Sequence, residues 1–473
     1  MDALPTGSPR LRSSAEQLLD EIAPLLGLSG AQTVEEARRA LATPALIAVA
    51  GRVNTGKSTL VNSLISAKLA PTSAQEATAL LTYYVYGSPS RAEAALGSGQ
   101  VVPIPVTGSG PALGNIRPET VDFLRVYVQA AALENSTILD TPGLESAVTG
   151  NSARTASGML EERESSVDPD VLLYLIRDAF RPDDEEFIAA FRARQGAGPD
   201  RPVIGLVAHA DNFGAGPWHT ADPIDEARKA AADLAKRMPQ LTAVLAVSGL
   251  LAETARTGAL REQDVRSLRV LRGVDDVHLQ FRDQLGPPPG ARLEDLQRLT
   301  GLIGSYGLRF GREHCDGAGT LTEWLLDRSG LGRLERVLHE EVTGPSECAR
   351  VDKMLTMLLA AGRSQSWPAE ARHLIESARH APAFHRLHEE EALALLRGSA
   401  PDHALVPVLE GLRQADWRPP AIGPAVPEKN GYLELASHYQ AMAGTASTGA
   451  EARAARVIAR SLLIRSGTGR TPA

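Results

Sequence analysis

Apolar residues recur at helical intervals near the start of the chain. Leu18, Leu19, Ile22, Leu25 and Leu26 follow Ser14 and Gln17, which stand in capping-box spacing. Pro24 limits or kinks this helix. Thr33 and Glu36 mark a second helix start, and Pro44 closes it. The period then changes. LIAVAG (46–51) is a continuous apolar run ending in glycine, the pattern of a strand buried on both faces. Similar runs follow at 79–87, 123–128, 137–140, 171–176, 203–209 and 243–248. Helical stretches such as 222–236 separate many of them, which predicts a mostly parallel sheet with helices on both faces.

After Arg272 the strand runs stop, and Pro287, Pro288 and Pro289 make a break. Leu331, Leu334, Val337 and Leu338 form one helical stripe; Val351, Leu355 and Leu358 form another. A proline-rich stretch interrupts the pattern at 417–427, and there is no internal repeat. The expected organisation is N-terminal helices (1–43), an α/β domain (44–272) and a helical region (273–473) that the first segment joins.

The 473 residues suffice for two or three domains. A net charge of -8 argues against general nucleic-acid binding and against a ribosome-associated role. No run reaches the ~20 apolar residues that span a bilayer, so membrane association is expected to be peripheral or carried by a partner. The first residues lack the apolar core of a signal peptide, and Cys315 and Cys348 lie far apart, so reduced cytosolic thiols are expected.

The chemistry begins at GRVNTGKS (51–58), which fits the phosphate-loop pattern between a strand and a helix. Gly51 and Gly56 let the backbone curl so that amide N–H groups face phosphate. Lys57 reaches the β- and γ-phosphates, and the Ser58 hydroxyl ligates Mg²⁺. Asn54, Thr55 and Thr59 complete the loop's nucleotide-binding set. DTPG follows the strand at 137–140: Asp140 is expected to hold Mg²⁺, and Gly143 to offer its N–H to a γ-phosphate. A threonine closing over the metal and the attacking water is sought among Thr72, Thr78 and Thr82. Thr78 is favoured by its spacing from Lys57, Thr72 stands in reserve, and Thr82 reads as structural within a strand.

The base-reading motif N-K-x-D is degenerate. Asp211 keeps its place, Ala208 replaces asparagine, and His209 replaces lysine with an imidazole able to stack on a purine. VSGL (247–250) resembles the serine loop in which backbone N–H groups of Ser248 and Gly249 support the guanine carbonyl. The order of these elements is that of a GTPase, and most sit where open α/β sheets bind ligands. The long gap from Lys57 to Asp140 predicts an insertion.

Taken together, KSTLVNSLISAKLAPTSAQEAT, LDTPG, VDPDVLLYLIRD, HADNFGAG and VSGLLAETART resemble the bacterial dynamin-like GTPases. Within that family the similarity is to actinobacterial members: the mycobacterial isoniazid-inducible proteins and the paired sporulation dynamins of Streptomyces. The resemblance implies an α/β P-loop GTPase head on an all-α bundle, Mg²⁺ with GTP or GDP, and self-association through the heads. It further implies a second dynamin-like partner and membrane remodelling at a division or sporulation septum. The location implied is cytoplasmic, at the inner face of the cell membrane.

The family often carries glutamine at the second loop position, where it helps place the catalytic water. Arg52 stands there and is the third catalytic candidate beside Lys57 and Thr78. That departure keeps a second class of function open, a nucleotide-gated scaffold with little turnover. The C-terminal stretch with Arg453, Arg456, Arg460 and Arg465 among Val457, Ile458, Leu462 and Leu463 reads either as a bundle helix or as a helix lying on anionic lipid. Arg177 and Asp178 end a strand where the family places a loop working across the dimer, and they read equally as a surface salt bridge. The acidic run 183–186 reads as a helix first turn. His380, His385 and His388 read as surface residues, and Trp324 and Trp367 as core or interface anchors.

Overall fold

The computed structural model describes residues 9–71, 80–108, 110–141, 169–177, 180–193, 202–238, 240–365, 367–413 and 428–466. It divides into two units, Pro44–Leu338 and a second built from Met1–Thr43 with His339–Ala473.

The first unit is organised on a nine-stranded sheet. Its strands are β1 (Ala45–Gly51), β2 (Leu81–Tyr86), β3 (Arg91–Leu96), β4 (Val101–Ile104), β7 (Val121–Val128), β8 (Ser136–Asp140), β9 (Val171–Ile176), β10 (Val203–Val207) and β11 (Ala243–Ala246). The short strands β5 (Val106–Thr107) and β6 (Gly110–Pro111) form a separate ribbon. The order across the sheet is β11-β10-β9-β1-β8-β2-β7-β3-β4. The run from β11 to β8 is parallel throughout. Every residue of β1, β8, β9 and β10 is buried, which is why these strands read as unbroken apolar runs.

β2 pairs antiparallel with β8 and parallel with β7; β3 pairs antiparallel with both β7 and β4. The predicted insertion therefore extends the sheet beyond β2. β3 and β4 gave no strand signal, because RAEAAL is alanine-rich and VVPI is short, carries a proline and lies at the sheet edge.

Helices beyond Arg272 still belong to the sheet-bearing unit, which continues to Leu338 instead of ending at 272. Leu296, Leu299 and Ile303 of the helix Leu293–Phe310, with Leu321 and Leu325 of Ala318–Ser329, share one core with Leu172, Tyr174 and Val207. Gly330 ties this layer to β11. Its φ is 78°, and a Cβ there would stand 2.3 Å from the Ala246 carbonyl.

The second unit is helical. Pro9–Ala42 is one long helix interrupted at Gly27, where φ is 59°, three residues past the expected Pro24 kink. Leu19 and Ile22 pack with Val351, Leu355, Leu358 and Trp367. A further cluster joins Leu393, Leu409, Ile458 and Leu462. The basic C-terminal stretch is thus a bundle helix, Gly449–Arg465, with Val457, Ile458 and Leu462 buried, and not a helix laid on lipid. His385 is buried, against its surface reading. Its Nε2 lies 3.3 Å from the Val457 carbonyl and 3.0 Å from Ser461 Oγ. Trp367 is a core residue, and Trp324 stacks on Tyr306 at 5.9 Å. Both cysteines are free and buried. Among the described residues no helix is long and apolar enough to cross a membrane.

Candidate functional site

The site forms where β1, β8, β9 and β10 end. β1 stops at Gly51, whose φ of 151° begins the turn; a Cβ there would lie 2.8 Å from the Leu175 carbonyl. The loop passes through left-handed Asn54 (φ 61°) and Gly56 (φ 86°) into the helix Lys57–Ile65. Lys57 is buried, and its ammonium donates to the carbonyls of Gly51 at 3.2 Å and Arg52 at 2.8 Å. Thr55 Oγ1 also donates to the Arg52 carbonyl, at 2.8 Å. The apolar face of the helix, with Leu60, Val61, Leu64 and Ile65, is buried and fixes the direction of its N-terminus.

Asp140, the last residue of β8, is fully buried. Neither of its carboxylate oxygens has a hydrogen-bond partner. Burial pushes its pKa up to about 7, and Lys57 and the Ser58 hydroxyl pull it back down. Ser58 is close enough to act on that charge, but it does not stand in hydrogen-bond geometry with it. A buried carboxylate without a partner is costly, and a hard divalent cation is the partner its chemistry accepts. The donor set of Asp140 and Ser58 therefore fits Mg²⁺. Among the described residues no cluster of three His, Cys, Asp or Glu offers another metal site. Thr141 is fixed beside Asp140 by donating through Oγ1 to the Val49 carbonyl at 2.9 Å. Thr82 lies within β2, directly across from Asp140. Thr72, Thr78, Gly143 and Asp178 lie outside the described residues.

His209 follows β10 in a left-handed conformation, φ 52°. Non-glycine residues at positive φ concentrate at functional sites, and Asn54 and His209 are two of the three among the described residues. His209 Nε2 donates to the Asn54 carbonyl at 3.2 Å and stands 3.4 Å from where a Cβ on Gly56 would be. Arg177, at the end of β9, donates to the same Asn54 carbonyl at 3.1 Å.

Asp211 accepts from Ser248 Oγ at 2.6 Å, so the expected base-reading aspartate and serine loop do meet. The atoms differ from expectation. The Ser248 amide, expected to face the base, donates to the Ser329 carbonyl at 2.9 Å. Ser248 instead acts through its side chain, which holds Asp211 and caps the helix Gly249–Arg256. Gly249 approaches Thr59 of the phosphate-loop helix: a Cβ on it would lie 3.4 Å from the Thr59 side chain.

Arg52 does not project freely over the loop. Nε donates to Asp184 Oδ1 and Nη2 to Asp183 Oδ2, both at 3.1 Å. Asp184 is buried and also accepts from the Tyr174 hydroxyl at 2.5 Å and the Arg181 amide at 2.8 Å. The acidic run is the first turn of the helix Pro182–Ala193, as its composition implied, and it also grips the phosphate loop.

Two neighbours of the site were not singled out from sequence. Gly304 breaks the helix Leu293–Phe310 at φ 61°; a Cβ there would stand 3.6 Å from Asp211 Oδ2. Its signal was a glycine inside an amphipathic run. In the sequence Asn62 is one more polar residue in a helix. It is buried, donates to Glu253 Oε1 at 2.7 Å and the Ala70 carbonyl at 3.0 Å, and accepts from the Leu69 and Ala70 amides.

This arrangement is that of a P-loop GTPase domain, and residues 46–207 match the family model described as 50S ribosome-binding GTPase. The chain is also 32% identical over 286 residues to the isoniazid-induced protein IniC of Mycobacterium tuberculosis, in strains CDC 1551 / Oshkosh and ATCC 25618 / H37Rv. That alignment covers 57% of this chain and 56% of IniC, so the chain spans about half the length of the curated relatives it matches. The resemblance to bacterial dynamin-like GTPases is thereby borne out at its mycobacterial isoniazid-inducible members. Two solved chains from work on an oligomerised bacterial dynamin pair that senses and tethers membranes are also similar. They are 14% and 12% identical, with TM-scores of 0.33 and 0.36, covering 84% and 96% of this chain and 53% and 59% of theirs. Likeness at that level carries no weight for the fold.

Proposed function

We propose that this protein binds GTP and GDP with Mg²⁺ and hydrolyses GTP as a dynamin-like GTPase. The observation that carries the reading is the partnerless, buried carboxylate of Asp140 beside Lys57 and Ser58. The amides of the loop from Gly51 to Thr59 would receive the phosphates, and Lys57 would exchange its carbonyl acceptors for phosphate oxygens. Ser58 and Asp140 would hold the cation, whose chemistry is to neutralise charge on the phosphates. Thr78 is the residue proposed to close over it and to orient the attacking water. Asp211, fixed by Ser248, would accept from the guanine N1–H and 2-amino groups, with His209 against the purine face.

Beyond the nucleotide, the family reading gives self-association through the heads, a second dynamin-like partner and peripheral attachment to membrane during septum remodelling. A second reading is favoured by the engagement of Arg52 with Asp183 and Asp184, which takes from the loop the side chain that stands where the family often uses a water-placing residue. On that reading the protein is a nucleotide-gated scaffold supporting a catalytic partner.

The discriminating experiment is phosphate release from GTP, alone and with anionic vesicles and the partner. Turnover abolished by Lys57→Ala supports the GTPase. Nucleotide binding without turnover under every condition leaves the scaffold.

A further inference from the structure

Tyr84 lies on the strand pair that carries Asp140. β2 and β8 run antiparallel with Thr82 opposite Asp140 and Tyr84 opposite Ile138. Alternate residues of a strand share a face, and directly opposed residues share it too. Thr82, Tyr84, Ile138 and Asp140 therefore stand on one side of the sheet. Tyr84 is fully buried, and its hydroxyl has no hydrogen-bond partner. Asp140 is in the same condition at both oxygens.

Buried tyrosine hydroxyls normally find a partner, because an unmade bond forfeits the hydration the group had in the unfolded chain. Phenylalanine would fill the same volume without that cost. Burial first, and the Asp140 charge second, hold the Tyr84 phenol well above its ordinary range, so the group is a donor at any working pH. The orphaned donor and the orphaned carboxylate share one sheet face two residues apart in register, the carboxylate at the end of β8, and a common third group would satisfy both.

We propose that Tyr84 is a positioning residue of the metal site, its hydroxyl donating to the water through which Asp140 holds the divalent cation. The inference rests on the reading of Asp140 as the cation's acidic partner. A buried water takes two to four hydrogen bonds, and the unpartnered phenol can supply one of them. That hydrogen bond would fix the water's orientation and, through it, the carboxylate.

The test titrates Mn²⁺ by electron paramagnetic resonance into GDP complexes of the full chain, as wild type, Tyr84→Phe and Asp140→Asn. Tyr84→Phe is expected to weaken Mn²⁺ about tenfold, the usual effect of losing an outer-shell partner. Its GDP affinity in EDTA is expected to match wild type, and its metal-free melting temperature to equal or exceed it, since the ring is retained and a buried unpaired hydroxyl is removed. Mn²⁺ affinity within twofold of wild type overturns the proposal, and so does a metal-free variant that melts several degrees lower, which marks an ordinary core role. A second measurement needs no change of packing. In wild type labelled with fluorotyrosine, the ¹⁹F resonance missing from Tyr84→Phe is expected to move when Mg²⁺ joins the GDP complex, and an unmoved resonance refutes the contact. Asp140→Asn separates the two levels. If it binds Mn²⁺ like wild type, the reading of the metal site fails; if only Tyr84→Phe is silent, that reading stands and this inference falls.

Discussion

Arg52, the second residue of the phosphate loop, donates through Nε to Oδ1 of the buried Asp184 at 3.1 Å. Together with the Asp183 contact, that pair joins the nucleotide loop to the helix Pro182–Ala193, and Tyr174 and Arg181 converge on the Asp184 carboxylate. Asp184→Ala removes the acceptor of the Tyr174 hydroxyl and the Arg181 amide, and the buried one of the two carboxylates that hold Arg52. It is expected to lower stability by about 3 kcal/mol, measured by urea denaturation. Arg52→Gln is expected to cost about 1 kcal/mol and to change GTP turnover less than tenfold. A larger fall in turnover at unchanged stability returns Arg52 to the catalytic set.

Asp140 gives a prediction whose sign depends on pH. Its pKa in the fold is raised to about 7, above the usual carboxylate value, because burial disfavours the charge. The folded state therefore holds a proton that the unfolded state releases, and stability falls as pH rises toward 7. Without metal, Asp140→Asn is expected to melt above wild type at pH 8, with the gap closing below pH 7. The rise in melting temperature that Mg²⁺ gives the GDP complex is expected to vanish in the variant. A retained Mg²⁺ effect removes Asp140 from the metal site.

Much of this site was legible because its parts are local. A continuous apolar run, a glycine turn and a lysine next to a hydroxyl specify the 51–58 loop between one strand, Ala45–Gly51, and one helix, Lys57–Ile65. Asp140 was legible by the same logic at the end of a buried strand. What stayed hidden is non-local. Nothing near Arg52 in sequence announces Asp184, and nothing near Asp211 announces Gly304. β3 and β4 pair at an exposed edge, where alanine and proline carry no strand preference. The strand runs stop at Arg272, and the pattern therefore predicts the end of the α/β domain there. Leu296, Leu299 and Leu321 nevertheless bury their side chains in the core of the same unit. Helical period shows that a stripe will be covered, not which element will cover it.

His385 predicts acid sensitivity in the helical unit. Burial, against the Val457 carbonyl and with Arg460 and His388 nearby, lowers its pKa to about 4. The unfolded chain takes up a proton near the ordinary value while the fold refuses it, so stability is intact above about pH 6.5 and is lost as pH falls toward 4. The loss is expected to reach about 2–3 kcal/mol. His385→Gln is expected to flatten that slope in urea midpoints measured from pH 7 to 4. An unchanged slope assigns the sensitivity to other groups.

Asn62 makes four hydrogen bonds, three of them buried, and two of the four hold the Leu69 and Ala70 amides. Asn62→Ala removes the side-chain acceptor of the Ala70 amide and the donor to Glu253 Oε1, and a loss of about 3 kcal/mol is expected in chemical denaturation. Hydrogen exchange at Leu69 and Ala70 is expected to accelerate more than at Leu60 or Val61. Uniform acceleration across the helix would mean that Asn62 serves general packing and not this turn.

The central claim is that one site combines the phosphate loop at Lys57 with guanine choice at Asp211. Calorimetry with Mg²⁺, comparing GDP and ADP on wild type, Lys57→Ala and Asp211→Ala, tests it most directly. The expected result is strong preference for GDP in wild type, loss of binding to both nucleotides in Lys57→Ala, and loss of the guanine preference alone in Asp211→Ala. Equal affinity of wild type for GDP and ADP, or undiminished binding by Lys57→Ala, contradicts the account.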